Sequence, residues 1–242
     1  WDSMDTKQKS EALNQMWRNK AISDTQEPGS TFKLITATAA LEENIVNIDD
    51  KVFYCAGQMN VGTWTIKCWR YYNPHGSESL REGIMNSCNP VFMQVSQKMG
   101  IPAFMEYIRA FNLNSKTGID LPGEATGIMH NESTMTDVDL ATSSFGQTIQ
   151  ITTIQTAVNY CAVANGGYLV EPYVVKEIKS NSGNYDEQVE SKVLKQIMSE
   201  QTSSELMSAL VDTVNFGTAK SGKISDYQVA GKTATGENGR GD

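Results

Sequence analysis

A serine hydroxyl is a weak nucleophile until a base takes its proton, and one segment of this chain sets a base beside one. Ser30-Thr31-Phe32-Lys33 is the only Ser-x-x-Lys in 242 residues. On a helix, positions three apart share a face, so the Lys33 amine can reach the Ser30 hydroxyl. Lysine serves as a base only where burial or a neighbouring cation suppresses its charge. The run through Leu34, Ile35, Ala37, Ala39, Ala40 and Leu41 is apolar and supplies part of that setting. At the helix N-terminus, Ser30 would also meet free N–H groups and a dipole that favours developing negative charge. Taken alone, the tetrad is a weak signal, since a Ser-x-x-Lys at a helix start is usually just a capping serine and a surface lysine.

Two other segments add to it. Ser87-Cys88-Asn89 falls at an expected break between helices, where a hydroxyl and an amide can point into a cleft. Lys232-Thr233-Ala234-Thr235 follows Gly231 on an expected late strand. A strand edge there offers a cation, hydroxyls and N–H groups to a peptide carboxylate. Two decoys compete. Lys116-Thr117-Gly118 sits in the loop run Asn114–Glu124 with no strand pattern before it, and Ser182-Gly183-Asn184 sits in a polar turn. Both read as turn chemistry.

The elements that must position these groups follow from periodicity and punctuation. Residues 1–29 are polar and charged and close on the turn signal Pro28-Gly29. A buried helix is expected from about Ser30 to Glu43, then short β-like runs at Lys51–Tyr54 and Trp64–Lys67. Another helix covers Ser79–Met85. After the Ser87 break a helix resumes at Pro90, with Val91, Phe92, Val95 and Met99 as its stripe and Gly100 as its cap. Pro102 opens a further helix through Phe104, Met105, Ile108 and Phe111, and 112–140 is loop-rich. The remainder reads as a buried helix over Thr152–Ala164, a strand pair in Tyr168–Ile178 and a polar turn at Ser180–Asp186. An amphipathic helix over Ser199–Asn215 and a strand over Ser225–Thr235 complete it. Helices with strands gathered late make an α+β arrangement.

The order Ser-x-x-Lys, Ser-x-Asn, Lys-Thr-x is the active-site signature of penicillin-binding proteins and serine β-lactamases. The chain resembles the class B penicillin-binding proteins, the monofunctional transpeptidases, over nearly its whole length. The resemblance is carried by Arg18-Asn19-Lys20-Ala21, Glu27 to Lys33, His75-Gly76, Ser87-Cys88-Asn89, Lys116–Glu124, Phe145-Gly146-Gln147, Gln155, Ala164-Asn165-Gly166-Gly167 and Ala230-Gly231-Lys232-Thr233. It implies that family's fold, a helical lobe plus an antiparallel sheet, here incomplete, in a partial transpeptidase domain over 1–242. It also implies that Ser30 attacks the penultimate D-Ala carbonyl of a peptidoglycan stem peptide ending in D-Ala-D-Ala. D-Ala leaves, and a neighbouring amine resolves the acyl-enzyme into a cross-link. Lys33 would be the base, Ser87 the proton shuttle, and Asn89 the holder of the substrate amide and of Lys33. Lys232, Thr233 and Thr235 would bind substrate, with the N–H groups of Ser30 and Thr235 as oxyanion hole. Acyl transfer would need no cofactor, β-lactams would acylate Ser30, and a cell-wall glycosyltransferase is the expected partner. The expected location is the outer face of the bacterial cytoplasmic membrane, through an N-terminal anchor outside this chain.

Two departures qualify the match. The strand motif reads Lys-Thr-Ala where the family has Lys-Thr-Gly, so the Ala234 methyl is expected to narrow the cleft. Only 29 residues precede Ser30, and the chain opens on Trp1 without a signal-peptide pattern. From this the natural start and part of the family's sheet are expected to lie outside it.

Cys55, Cys68, His75 and Cys88 fall within 34 residues. One reading is a Cys55–Cys68 disulfide, or free buried thiols beside a structural histidine. The other is a structural zinc held by Cys55, Cys68 and His75, with Cys88 or a carboxylate such as Asp50 as fourth ligand. Cys161 reads as core.

Composition excludes other classes. Lys+Arg 20 against Asp+Glu 28 gives a net charge of −8, the opposite of a nucleic-acid footprint. Mean hydropathy is −0.38, and no stretch approaches the ~20 apolar residues of a membrane span. Four cysteines are too sparse for a disulfide-framed domain. Rival readings are a β-lactam sensor, a non-catalytic cell-wall scaffold, and a serine β-lactamase, the last lacking a Glu-x-x-Leu-Asn after Ser87.

Overall fold

The computed structural model describes residues 1–182 and 185–235. Helix α1 (Thr6–Trp17) and the single turn α2 (Lys20–Ser23) lead to β1 (Thr25–Gln26), a 3-10 turn at Gly29–Thr31, and α3 (Lys33–Glu42). Strands β2 (Phe53–Cys55), β3 (Gln58–Val61), β4 (Trp64–Lys67) and β5 (Gly76–Glu78) precede α4 (Leu80–Met85) and α5 (Asn89–Ala110). Then come α6 (Asp137–Ser143), β6 (Ile151–Thr152), α7 (Thr153–Ala164), β7 (Tyr168–Glu171), β8 (Glu177–Lys179), β9 (Asp186–Gln188), β10 (Lys192–Gln196) and α8 (Glu200–Asn215).

Helix α3 is the centre of the molecule. Every residue from Lys33 to Ala40 is buried, and the helix packs against α5 and α8. Ala37, Ala39 and Ala40 are small enough to let neighbouring backbones approach. Phe32, Phe92, Val91 and Ile84 fill the space around them. Each such side chain contributes about 2 kcal/mol by leaving water. Helix α5 is broken at Gly100, whose φ of 78° no helix accommodates, and it resumes through Pro102. The expected stop and restart are both there.

The strands form antiparallel ladders of two to four residue pairs among the described residues: β1 with β6, β2 with β5, β3 with β4, β7 with β10, and β8 with β9. This is an α+β fold with an incomplete sheet.

Several expectations need correction. The strand expected over Ser225–Thr235 is not formed: these residues are irregular, because no neighbouring strand offers them a ladder among the described residues. Gly231 N–H instead donates to the Leu210 carbonyl on α8 at 3.3 Å. The strands β7 and β8 do not pair with each other; β10 and β9 are their partners. The loop-rich run contains α6, capped by Thr136 and Asp139, and the polar N-terminal stretch contains α1, which buries no residue. Cys161 is exposed on α7 rather than in the core. No helix among the described residues is long and apolar enough to cross a membrane.

Candidate active site

The segment before the nucleophile candidate is fixed at two points. Pairing of β1 with β6 sets Gln26 opposite Ile151, and Gly29 N–H donates to the Gly146 carbonyl at 3.0 Å. Gly29 has φ +53°, and a Cβ there would stand 2.4 Å from the Thr235 carbonyl oxygen. Gly146 has φ +86°, and a Cβ there would stand 2.0 Å from the Gly29 carbonyl oxygen. Three backbones thus meet beside Ser30 at a distance only glycine permits. The left-handed Gly29 also explains why Ser30 lies in a 3-10 turn and the α-helix proper starts at Lys33, three residues later than expected.

Lys33 is fully buried. Its Nζ lies within hydrogen-bond distance of four oxygens: Ser30 Oγ at 3.0 Å, Ser87 Oγ at 3.2 Å, the Ser87 carbonyl at 2.9 Å and Asn89 Oδ1 at 2.8 Å. Ser87 Oγ donates to Ser30 Oγ at 2.9 Å. Lys232 Nζ donates to Ser87 Oγ at 2.8 Å and to the Thr233 carbonyl at 3.2 Å. Burial holds the Lys33 amine well below the ordinary lysine range, and the Lys232 charge pushes it the same way. Burial also brings Lys232 down, to about 8. Desolvation disfavours an ammonium, and a second cation adds to the effect.

The turn at Ser87 is strained in a useful direction. Ser87 has φ +53°, a conformation that costs a non-glycine residue about 1–3 kcal/mol. It aims both the hydroxyl and the carbonyl of Ser87 at Lys33, while Cys88 caps α5 and Asn89 opens it.

One cleft of about 680 Å³ gathers Ser30, Ser87, Asn89, Thr233 and Thr235. Every expected catalytic and substrate-binding residue therefore lies in the cleft or, for Lys33 and Lys232, bonds a residue that does. Its walls also include Phe145 and Gln147, which share in the family resemblance, and three residues not anticipated: Lys67, Trp69 and Thr218. Thr218 Oγ1 lies 3.1 Å from Thr233 Oγ1. Nothing in local spacing marks these three, because they arrive from a hairpin end and from the loop after α8. The decoy Lys116-Thr117-Gly118 does not line the cleft. Its Thr117 and Gly118 N–H groups donate to Glu124 at 2.6 and 3.2 Å, closing a loop on itself. Gly183 and Asn184, from the Ser182-Gly183-Asn184 decoy, lie outside the described residues.

Beside the cleft, Cys55, Cys68, His75 and Cys88 converge. Their donor atoms all lie within 4.8 Å of one another, and Cys68 Sγ is 3.6 Å from His75 Nδ1. Tetrahedral zinc with bonds of about 2.3 Å to sulfur sets ligand atoms about 3.8 Å apart, so the four fit such an ion. All four cysteines of the chain are free thiols, which removes the Cys55–Cys68 disulfide, and the fourth member is Cys88 rather than Asp50. A hydrogen bond from Cys88, aided by His75, pushes the Cys68 thiol down toward thiolate. The buried Glu78 carboxylate adjoins the cluster, 3.8 Å from His75 Nδ1.

Comparison with known proteins agrees with this geometry. The family model described as the penicillin binding protein transpeptidase domain matches residues 2–242. Stage V sporulation protein D of Bacillus subtilis is 38% identical over 221 residues, covering 91% of this chain and 34% of that protein. The chain thus spans about a third of the length of that relative. The D,D-transpeptidase domain of a peptidoglycan glycosyltransferase from Eggerthella lenta superposes with a TM-score of 0.85 at 25% identity, covering 95% of this chain and 60% of that one. Penicillin binding protein 3 from Mycobacterium tuberculosis, complexed with ampicillin, gives 0.81 at 26% identity, covering 89% and 49%.

Proposed function

The chain belongs to the penicillin-binding protein transpeptidase domain family, and from that premise we propose that it is a serine D,D-transpeptidase that cross-links peptidoglycan stem peptides. The observation carrying this is the buried Lys33 amine, held 3.0 Å from Ser30 Oγ with its affinity for a proton lowered. An uncharged amine there takes the Ser30 proton as Oγ adds to the penultimate D-Ala carbonyl. Proton transfer of this kind is worth about 10²–10⁴ in rate. The oxyanion would meet the backbone N–H groups of Ser30 and Thr235, each such donor being worth about 10²–10³. Ser87, hydrogen-bonded to Ser30, Lys33 and Lys232, relays the proton to the nitrogen of the departing D-Ala. An ester on Ser30 is left. The incoming amine of a second stem peptide reverses the relay and takes the acyl group. Asn89 holds Lys33 and the substrate amide, and Thr233 and Thr235 receive the terminal carboxylate.

β-Lactams would enter as substrate mimics and stop at the ester. No carboxylate lines the cleft among the described residues, so a water entering it meets no carboxylate base. This favours a transpeptidase over a β-lactamase. Incubation with a fluorescent penicillin tests the choice: a label that persists is expected, whereas rapid turnover would indicate a lactamase and absence of label a scaffold. Partnership with a cell-wall glycosyltransferase and action at the outer face of the cytoplasmic membrane complete the reading.

The Cys55, Cys68, His75 and Cys88 cluster would hold a structural zinc. Four protein ligands leave it no open position, so it would brace the site, not take part in acyl transfer. Cys88 lies between Ser87 and Asn89, which ties the brace to the catalytic turn.

A further inference from the structure

We infer that Lys67 and Trp69 form a recognition wall for the donor peptide upstream of its D-Ala-D-Ala end, with Lys67 receiving a carboxylate there. This rests on the transpeptidase reading above. Both residues line the same cleft as Ser30. Trp69 is 62% exposed, yet it is held on two sides. Its indole N–H donates to the Asn86 carbonyl at 2.9 Å, and its ring meets His75 edge-on at 5.7 Å between centroids. Cys68, its neighbour, belongs to the Cys/His cluster. An aromatic left in water but already immobile has its ordering entropy spent before a ligand arrives, the condition for an anchor residue.

Lys67 stands next to it. The other ammonium groups of the site are engaged: Lys33 with Ser30, Ser87 and Asn89, and Lys232 with Ser87 and the Thr233 carbonyl. Lys67 makes no ion pair among the described residues; its Nζ rests 4.6 Å from the centre of the Tyr71 ring. A cation on a wall with no lining carboxylate is complemented by an anion brought by the ligand. The D,D end of the donor occupies Ser30, Thr233 and Thr235, so an anion reaching Lys67 must come from an earlier residue of the stem.

The test uses two soluble stem-type pentapeptides ending in D-Ala-D-Ala. One carries a free carboxylate upstream of that end, and the other has it amidated. Acylation kcat/KM is measured for wild type, Lys67→Gln, Lys67→Arg and Trp69→Ala. Wild type is expected to prefer the carboxylate peptide about fivefold, the size of a partly exposed ion pair. Lys67→Gln loses that preference and Lys67→Arg keeps it. Trp69→Ala lowers kcat/KM for both peptides alike, about tenfold. A wild type indifferent to amidation, or a Lys67→Gln variant that keeps the preference, overturns the inference while leaving the transpeptidase reading intact. A wild type that neither peptide nor benzylpenicillin acylates overturns both.

Discussion

Lys232 Nζ sits 2.8 Å from Ser87 Oγ, joining residues 145 positions apart across the mouth of the cleft. This contact makes the second lysine an electrostatic partner of the first, since its charge helps keep Lys33 uncharged. Acylation should rise with pH as Lys33 loses its proton, and fall again near pH 8 as Lys232 does the same. Removing the Lys232 charge raises the Lys33 affinity for a proton. The rising limb of a Lys232→Met variant therefore moves to higher pH, and its falling limb near 8 disappears. Second-order rates for benzylpenicillin across pH 5–10 read both limbs, and an unmoved rising limb would separate the two lysines.

The close approach of Gly29, Gly146 and Thr235 predicts a position-specific sensitivity. Gly146→Ala forces a Cβ to 2.0 Å from the Gly29 carbonyl oxygen at a φ of +86°. The expected loss is at least about 2 kcal/mol, or roughly 4–8 °C in Tm, together with penicillin labelling. Gly222→Ala, where a Cβ meets nothing within 4 Å, is expected to leave both unchanged. Thermal unfolding of the two variants makes the comparison.

Much of this site was legible in the sequence. Ser30, Lys33, Ser87 and Asn89 lie on a helix start and a helix break, and both are local features: an apolar run after Pro28-Gly29, and Pro90 after a polar tripeptide. The caps at Ser79, Thr152 and Ser199 also follow local rules. Helix α6 carried the same signal in Thr136 and Asp139 but was submerged in glycine-rich and polar surroundings. Non-local pairing was not legible. Strand β10 is exposed on both faces, so no alternation announces it, and only its ladder with β7 makes it a strand. The stretch over 225–235 shows the converse, since Tyr227 and Val229 alternate without a partner strand among the described residues. Lys67 and Trp69 reach the cleft through the β3–β4 hairpin and the loop tied to His75, a tertiary fact with no spacing of its own.

Ala234 stands where the family pattern has glycine. Ala234→Gly is expected to raise acylation rates by β-lactams with bulky side chains, by about threefold to tenfold, by removing the one methyl that the family pattern lacks. Small penicillins should respond less. Equal rates for the two proteins with a bulky cephalosporin would show that this methyl does not narrow the cleft.

The cluster beside Ser87 predicts about one zinc per chain by X-ray fluorescence, with the ligand count of a closed structural site. Chelation is expected to expose three thiols of the cluster to a thiol reagent, lower Tm and slow acylation, because Cys88 shares its turn with Ser87 and Asn89. Cys161, exposed on α7 away from the cluster, is the internal reference. Purified protein that contains no zinc and binds none on titration would rule the metal out.

If Lys33 takes the Ser30 proton, Ser30 must form an ester with an acyl donor, and intact-mass measurement after exposure to benzylpenicillin tests this directly. Wild type should gain the mass of one opened penicillin and hold it, with the adduct mapping to the peptide that contains Ser30, and Ser30→Ala should gain nothing. An adduct of equal yield on Ser30→Ala, or an unmodified wild type, would contradict it.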